Sequence, residues 1–327
     1  MTRILITGAS GFIGRAVCKS LRVAGYSLSG TTSNFEQKRG PENIPLYYIP
    51  EIGPDTDWSG PVAGADAIIH LAARVHVTRD TSSDPLAEHR RVNRDGTRQL
   101  AIAAAAAGVN RLVFVSTVKV NGEITTDNPF SERDTPLPQD PYGISKWEAE
   151  QTLLEVSKNT GLQIVILRVP LVYGPYVKGN FLRLIEACSR FRIMPFGAIT
   201  NQRSLIYVDN LASAIKASLD HPAAVGKTYL VRDGQDMSTP DLVYRISGSL
   251  GLKVWLISLP RWLLTGIGVV TGETGAIARL TGSLQVDSSL IEKDLEWSPP
   301  YTIQEGLNET ARWYLSCLLY TSDAADE

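Results

Sequence analysis

The sequence predicts a doubly wound α/β fold, a parallel sheet covered on both faces, with a smaller and discontinuous C-terminal lobe. Three observations predict it. Short, fully apolar runs recur along the first half of the chain, helical stretches separate them, and a glycine-rich turn joins the first run to the first helix. Apolar strands without polar alternation belong to sheets buried on both faces. Strand–helix alternation of this kind winds into a layered fold by right-handed connections.

Ile4-Leu5-Ile6 is a β-rich run that opens the first strand at Arg3. Phe12 to Ala24 carries apolar residues at helical spacing and stops at Gly25. Leu28 to Thr32 reads as the second strand and Ala67-Ile68-Ile69 as the third. Asn93 to Ala107 is an alanine-rich helix stopped by Gly108. Arg111 to Ser116, with Leu112-Val113-Phe114-Val115 inside it, and Ile164 to Leu167 supply two further strands. From about Val169 the alternation loosens and Pro, Gly and Trp become commoner, which predicts the smaller lobe. Ala311 to Tyr314 reads as the end of a final helix. The string Cys317 to Glu327 shows no helical period and resembles a translated sequencing adaptor. Residues 317–327 are therefore set apart as a non-native tail.

Bulk properties narrow the function. The 327 residues are 43% hydrophobic and 20% charged, with formal net charge −2. Scattered Lys and Arg at near-zero net charge argue against a nucleic-acid surface, which needs a concentrated basic face. An anionic small molecule is still allowed, since two or three placed arginines suffice for a diphosphate. Cys18, Cys188 and Cys317 share no metal spacing and read as reduced thiols, so no metal is expected and the compartment is cytoplasmic. No secretory signal precedes the first strand. The most apolar stretch, Val254 to Val270, is broken by Pro260 and Arg261; it predicts a buried or interface helix and no membrane insertion.

The first chemical signature is Thr7-Gly8-Ala9-Ser10-Gly11-Phe12-Ile13-Gly14, directly after a strand and opening a helix. Gly8 permits the tight turn, Gly11 lets backbone approach a pyrophosphate, and Gly14 lets helix pack on strand. The helix N-terminus offers N–H groups and positive dipole character to phosphates. The pattern predicts dinucleotide binding, and the spacing G-x-x-G-x-x-G resembles that of the short-chain dehydrogenase/reductase superfamily.

The second signature is Tyr142-Gly143-Ile144-Ser145-Lys146 at the start of a helix. A phenol with pKa near 10 needs roughly three units of lowering, about 4 kcal/mol, to act as a base near neutrality. A cation one turn away and a positive nicotinamide can supply that bias. Ser116-Thr117 ends the preceding strand, where a parallel sheet presents its reactive groups, and a hydroxyl there can bond the substrate oxygen.

With these residues the chain resembles the extended short-chain dehydrogenases, the NAD-dependent epimerase/dehydratase family that acts on nucleotide sugars. Asp66-Ala67-Ile68-Ile69-His70-Leu71-Ala72-Ala73 is similar to the family's D-x-x-x-H-L-A-A strand, and Val92-Asn93-Arg94-Asp95-Gly96-Thr97 to its V-N-x-x-G-T helix. Leu167-Arg168 with Val172-Tyr173-Gly174-Pro175 is similar to its L-R-x-x-x-V-Y-G-P segment. The interval Thr117 to Tyr142 equals that between catalytic hydroxyl and tyrosine in sugar 4-epimerases. The resemblance implies Thr117, Tyr142 and Lys146 as the catalytic set, with Ser116 adjacent. It implies a cofactor site of Gly8, Ser10, Gly11, Phe12, Ile13, Gly14, Thr32, Leu71, Ala72, Ala73, Asn93, Tyr142 and Lys146. It divides the chain into a Rossmann NAD(P)-binding domain (residues 1–168 and about 204–230) and a substrate lobe (about 169–203 and 231–315).

The same resemblance gives a UDP-sugar substrate held by Arg203, with Asn180, Arg279 and the Phe196-Gly197 loop as further candidates. A guanidinium fork suits phosphate oxygens. Three departures stand out. Leu171, after Pro170, replaces the family's usual asparagine. Thr31-Thr32-Ser33 lacks the acid that holds an NAD ribose, so NAD is preferred only slightly over NADP. Val118-Lys119-Val120-Asn121-Gly122 replaces the commoner segment after the catalytic hydroxyl. These features are similar to bacterial UDP-sugar 4-epimerases and 4-keto-6-deoxysugar reductases, which share one catalytic set, and both readings stay open. The alternative from another class is a reductase of a non-nucleotide ketone, 3-beta-hydroxysteroid dehydrogenase-like or flavonoid reductase-like. A homodimer is left open.

Overall fold

The computed structural model describes residues 1–75, 82–260, 262–264, 266 and 274–323. The strands are β1 (Arg3–Thr7), β2 (Ser27–Thr32), β3 (Leu46–Tyr48), β4 (Ala67–His70), β5 (Arg111–Thr117), β6 (Gln163–Val169), β7 (Leu171–Tyr173), β8 (Ile193–Met194), β9 (Leu205–Tyr207), β10 (Thr228–Leu230) and β11 (Trp255–Leu256). Seven of them form one parallel sheet in the order β3-β2-β1-β4-β5-β6-β10. The pairs β7–β9 and β8–β11 make two small separate sheets.

Alternation along the buried strands explains the two covering layers. Ile4, Ile6, Val113, Val115 and Val165 pack with Val17 and Leu21 of α1 (Phe12–Val23) and with Leu211 and Ile215, which lie on the helix Val208–Asp220. The intervening residues Leu5, Ile68, Leu112, Phe114 and Ile164 turn the other way. They pack on Leu100 of the helix Thr97–Ala106 and on Ala149 and Leu153 of the helix Pro141–Thr160. Successive side chains of a strand point to opposite faces, so a run apolar throughout needs helices on both sides. The doubly wound Rossmann architecture follows. The strand order reverses between β1 and β4, and a crevice opens beyond their carboxyl ends, the usual ligand position in such sheets.

Three local expectations are corrected. The edge strand β3, Leu46-Tyr47-Tyr48, was not foreseen, because three residues with two exposed tyrosines show no buried pattern. The helix expected from Asn93 begins instead as a π-helical turn, Arg91–Gly96, and becomes α-helical from Thr97 to Ala106. The final helix does not stop at Tyr314: it runs Ile303–Asp323, because no glycine or proline interrupts it after Gly306. Within Val254 to Val270, residues 261, 265 and 267–270 lie outside the described residues. The part expected as helix that is described begins instead with the strand Trp255–Leu256. Among the described residues no helix is long and apolar enough to cross a membrane.

Candidate active site

The crevice wall is built by its glycines. Gly8 has φ +70°, and a Cβ there would stand 3.1 Å from the Ala72 nitrogen, so β1 and the segment after β4 nearly touch. A Cβ on Gly14 would lie 2.3 Å from the Gly8 carbonyl oxygen, which fixes glycine at the closest strand–helix approach. A Cβ on Gly11 would meet only that same oxygen, at 3.1 Å. Gly11 is the N-cap of α1 and no side chain caps that helix. Its leading N–H groups therefore face an open cradle of the kind a pyrophosphate fills, and the chain fits a dinucleotide.

Buried polar struts hold this wall. The Thr7 hydroxyl accepts from the Leu71 and Ala72 N–H groups, each at 3.2 Å, and pairs with His70 Nδ1 at 2.6 Å. His70 Nε2 pairs with the Thr97 hydroxyl at 2.9 Å. Burial, reinforced by the nearby Lys146 charge, pushes His70 down to about 3, so it stays neutral. Ala73 continues the same segment. Ser10 and Thr32 both donate to Gln37 Oε1, at 3.4 and 3.0 Å. Gln37 thus stands at the end of β2, where an acid was missing, and no sequence pattern marked it. Phe12 and Ile13 pack their side chains against the main core.

Asn93 is a strut as well. From the π-helical turn its amide accepts from Arg74 N at 2.8 Å and donates to Arg74 O and to the Ser145 hydroxyl, both at 3.0 Å. It ties the segment beside the cofactor crevice to the helix that carries the tyrosine. π-Turns recur at functional sites, and this one explains how an expected α-helical residue reaches both partners.

That helix, α5 (Pro141–Thr160), follows α2 (Ser59–Val62), α3 (Pro85–Arg90) and α4 (Thr97–Ala106) and is well specified. Asp140 caps it by accepting from Gly143 N at 2.6 Å, Pro141 occupies the first turn, and Gly161 ends it at φ +80°. Tyr142 is partly buried, with the His89 ring edge-on at 6.1 Å. Burial and the Asp140 charge push its phenol above the ordinary value, opposite to the lowering expected from the sequence. The chain's own groups therefore keep Tyr142 protonated. Lys146 lies one turn on; its Nζ donates to the Val115 carbonyl at 2.8 Å and sits 3.7 Å from the Phe114 ring centroid. Burial brings Lys146 down to about 7, although Glu150 opposes the shift.

The two hydroxyls that end β5 part company. Thr117 is buried and its oxygen accepts from Lys119 N at 3.3 Å. Ser116, turned the other way by strand alternation, donates to Glu150 at 2.5 Å. Glu150 is in turn paired with Arg168 at 2.7 Å, both buried, and Arg168 donates to Asn121 at 3.0 Å. Ser116 therefore belongs to an ion-pair network that clamps α5 to β5 and β6. The Lys119 ammonium pairs with Asp140, which joins the segment after Thr117 to the cap of α5. Neither Glu150 nor Asp140 was singled out from sequence, and Asn121 only as part of the departing Val118–Gly122 segment, because isolated polar residues carry no period.

Just before β9, Arg203 bridges in β fashion to Met237 and Leu284, and its guanidinium donates to the Arg279 and Gly282 carbonyls at 2.9 and 3.0 Å. Burial and the Arg279 charge lower its pKa. Two arginines are thus held together, and among the described residues neither is ion-paired. Leu284, bridged to the Arg203 backbone, shares a buried cluster with Val118, the residue after Thr117. Asn180 is exposed in the first turn of the helix Gly179–Arg190, and Phe196 is partly buried against the core. Tyr173 of the V-Y-G-P segment donates to the buried Asp233 at 2.8 Å, a structural contact, while Leu171 is exposed.

The model of the NAD dependent epimerase/dehydratase family matches residues 4–231. The chain belongs to that family. It is accordingly an NAD(P)-dependent enzyme of the extended short-chain dehydrogenase type. Among its relatives is a UDP-glucose 4-epimerase of Vibrio cholerae, 39% identical over 315 residues and 95% of each chain. Another is the N-acetyl-alpha-D-glucosaminyl-diphospho-ditrans,octacis-undecaprenol 4-epimerase of Escherichia coli, 28% identical over 95% of this chain and 94% of its own. The solved UDP-glucuronic acid 4-epimerase of Bacillus cereus, in complex with UDP-glucuronic acid and NAD, superposes with TM-score 0.74. It is 26% identical and covers 97% of this chain and 100% of that one.

A stability test arises from the lysine of this epimerase/dehydratase member. An ordinary lysine titrates at 10.5 and Lys146 at about 7, so between these values only the unfolded chain binds the proton. Stability then rises with pH across that window, and the cost of the buried charge is full below about pH 7. Replacing Lys146 by Met removes the cost. Lys146→Met is expected to raise the melting temperature of the purified chain at pH 6.5 by several degrees, and the gain should shrink toward pH 10. Thermal melts across that range check it; a gain that grows with pH contradicts the assignment.

Proposed function

We propose that this enzyme is a UDP-sugar 4-epimerase of the cytoplasm, with Thr117, Tyr142 and Lys146 as its reacting set and NAD as its cofactor. The observation that carries the reading is the Arg203–Arg279 pair: two cations without acidic partners among the described residues, on a backbone bridged to Leu284, which shares a buried cluster with Val118 beside Thr117. That arrangement suits a sugar whose reactive hydroxyl meets β5 and whose diphosphate lies against the arginines. Vibrio and Escherichia relatives that act as 4-epimerases support it.

The chain's groups divide the work. Tyr142, its phenol tipped toward the phenolate by Lys146 and the cofactor's positive charge against the burial that otherwise keeps it protonated, takes and returns the proton of the sugar's 4-hydroxyl at its phenolic oxygen. Thr117 hydrogen-bonds that same oxygen and holds it against the phenol. Lys146, fixed by the Val115 carbonyl, orients the cofactor's ribose side and adds positive charge beside the phenol. Arg203 and Arg279 hold the diphosphate, with Phe196 and Asn180 beside the nucleotide. When bound, the nicotinamide supplies hydride uptake and return at the sugar carbon. Ser116 has no part in the proton transfer, since its proton is committed to Glu150.

The direct test is to incubate the purified enzyme with UDP-glucose and with UDP-N-acetylglucosamine, without added reductant, and to separate the 4-epimers by chromatography. Interconversion supports the epimerase; consumption of added NADPH by a 4-keto sugar nucleotide, without interconversion, makes it a reductase. Arg203→Ala is expected to lower kcat/KM for the UDP-sugar by about 10- to 150-fold, the loss of one charge-assisted phosphate contact. UDP alone should inhibit the native enzyme and inhibit this variant far less. Saturating UDP that neither competes nor raises the melting temperature removes the sugar-nucleotide reading and favours a ketone reductase.

A further inference from the structure

We propose that the outer face of the β8–β11 ribbon docks this protein onto an anionic lipid surface. Trp255 and Ile193 are directly paired across the ribbon, and both point outward, 72% and 62% exposed. Two residues away along the chain, just outside the two strands, lie Ile257, 47% exposed, and Phe191, 59% exposed. Trp262, just beyond the ribbon, is 73% exposed. The alternate residues Leu252, Val254, Leu256 and Met194 pack into the main core. The register is therefore fixed from the inside, and the large apolar side chains are left outside by construction. Large apolar side chains grouped on one exposed face mark an interaction surface.

The charges say what covers it. Arg190 and Arg192 flank Phe191, and Lys253 stands two residues before Trp255 on the same face. All three are exposed, and among the described residues none is ion-paired. Tryptophans with aliphatic neighbours and a basic rim form the pattern that partitions into the boundary between headgroups and acyl chains. A second copy of this chain fits worse. A two-fold contact would set each rim of three cations against its own image. Since no described helix crosses a bilayer, the association is peripheral. The Gly197 N–H donates to the Ile257 carbonyl at 3.1 Å, so the ribbon backs the loop that carries Phe196. Docking turns the second lobe toward the bilayer. The proposal stands on this surface alone and does not depend on the sugar assigned above.

The test is sedimentation of the full chain with vesicles of phosphatidylcholine alone and of phosphatidylcholine mixed with phosphatidylglycerol. Binding is expected only to the mixed vesicles, with release at high salt and tryptophan quenching by brominated lipid. The double variant Ile193→Ser/Trp255→Ser should lower the partition coefficient by about tenfold or more, since it removes the two paired anchors. Lys253→Glu, at an exposed position outside β11, should lower it by at least about fivefold. Both variants should keep native melting and native turnover of a water-soluble substrate. Failure to sediment with the mixed vesicles at low salt overturns the proposal, as does native-like binding by Lys253→Glu. So does a concentration-dependent dimer that the double variant abolishes, which would give the face to a second copy.

Discussion

Tyr142→Phe is expected to lower kcat by about 10²- to 10⁴-fold while the cofactor stays bound. The change deletes the hydroxyl proposed to exchange a proton with the sugar oxygen and keeps the ring that packs edge-on against His89. Melting temperature should therefore move little. The native pH profile should carry an alkaline-favoured limb, because burial and Asp140 hold the phenol protonated and activity needs it poised to accept a proton. The variant should lose that limb along with the rate. Steady-state kinetics across pH, read beside cofactor titration, separates this from a structural effect. More than about half of native activity in Tyr142→Phe would place the proton transfer elsewhere.

The large features were legible because burial leaves a periodic trace. Ile4 to Ile6, Ile68-Ile69, Leu112 to Val115 and Ile164 to Leu167 are apolar throughout, and helices do cover both faces of the sheet they form. Gly8 and Gly14 were legible for a different reason: backbone contact tolerates no Cβ there, so residue identity itself carries the geometry. What escaped was polar and non-local. Glu150, Arg168 and Asn121 lie 18 to 47 residues apart and meet only in the fold, as do Gln37 with Ser10 and Lys119 with Asp140. Removing one partner from the buried Arg168–Glu150 pair leaves an uncompensated charge, a cost of about 3–5 kcal/mol. Such pairs weigh heavily on stability yet show no spacing rule. Ser116 shows the same gap from the other side. Its position at the end of β5 suggested chemistry, but strand alternation decides which hydroxyl faces the crevice, and it turns Ser116 toward Glu150.

Gly11→Val should abolish dinucleotide binding in a chain that still folds. Gly11 sits at φ −72° and ψ 175°, extended backbone that valine adopts readily. Its Cβ would meet only the Gly8 carbonyl oxygen, at 3.1 Å, which asks for an adjustment of a few tenths of an ångström. Loss of glycine at a helix N-cap adds about 1 kcal/mol. The two methyl groups, however, would stand in the open cradle before the first N–H groups of α1, where the pyrophosphate must approach. Binding measured by calorimetry should fall by at least about 100-fold, since both the phosphate contacts and the space are lost. Gly14→Ala supplies the contrast. Its Cβ would come within 2.3 Å of the Gly8 oxygen and 2.6 Å of the Ala9 oxygen, both backbone atoms that cannot swing away. That variant should lose stability first and binding only as a consequence, visible as a lowered melting temperature without any ligand present. Gly11→Val that binds NAD(P) like the native chain would remove the glycine turn from the cofactor site.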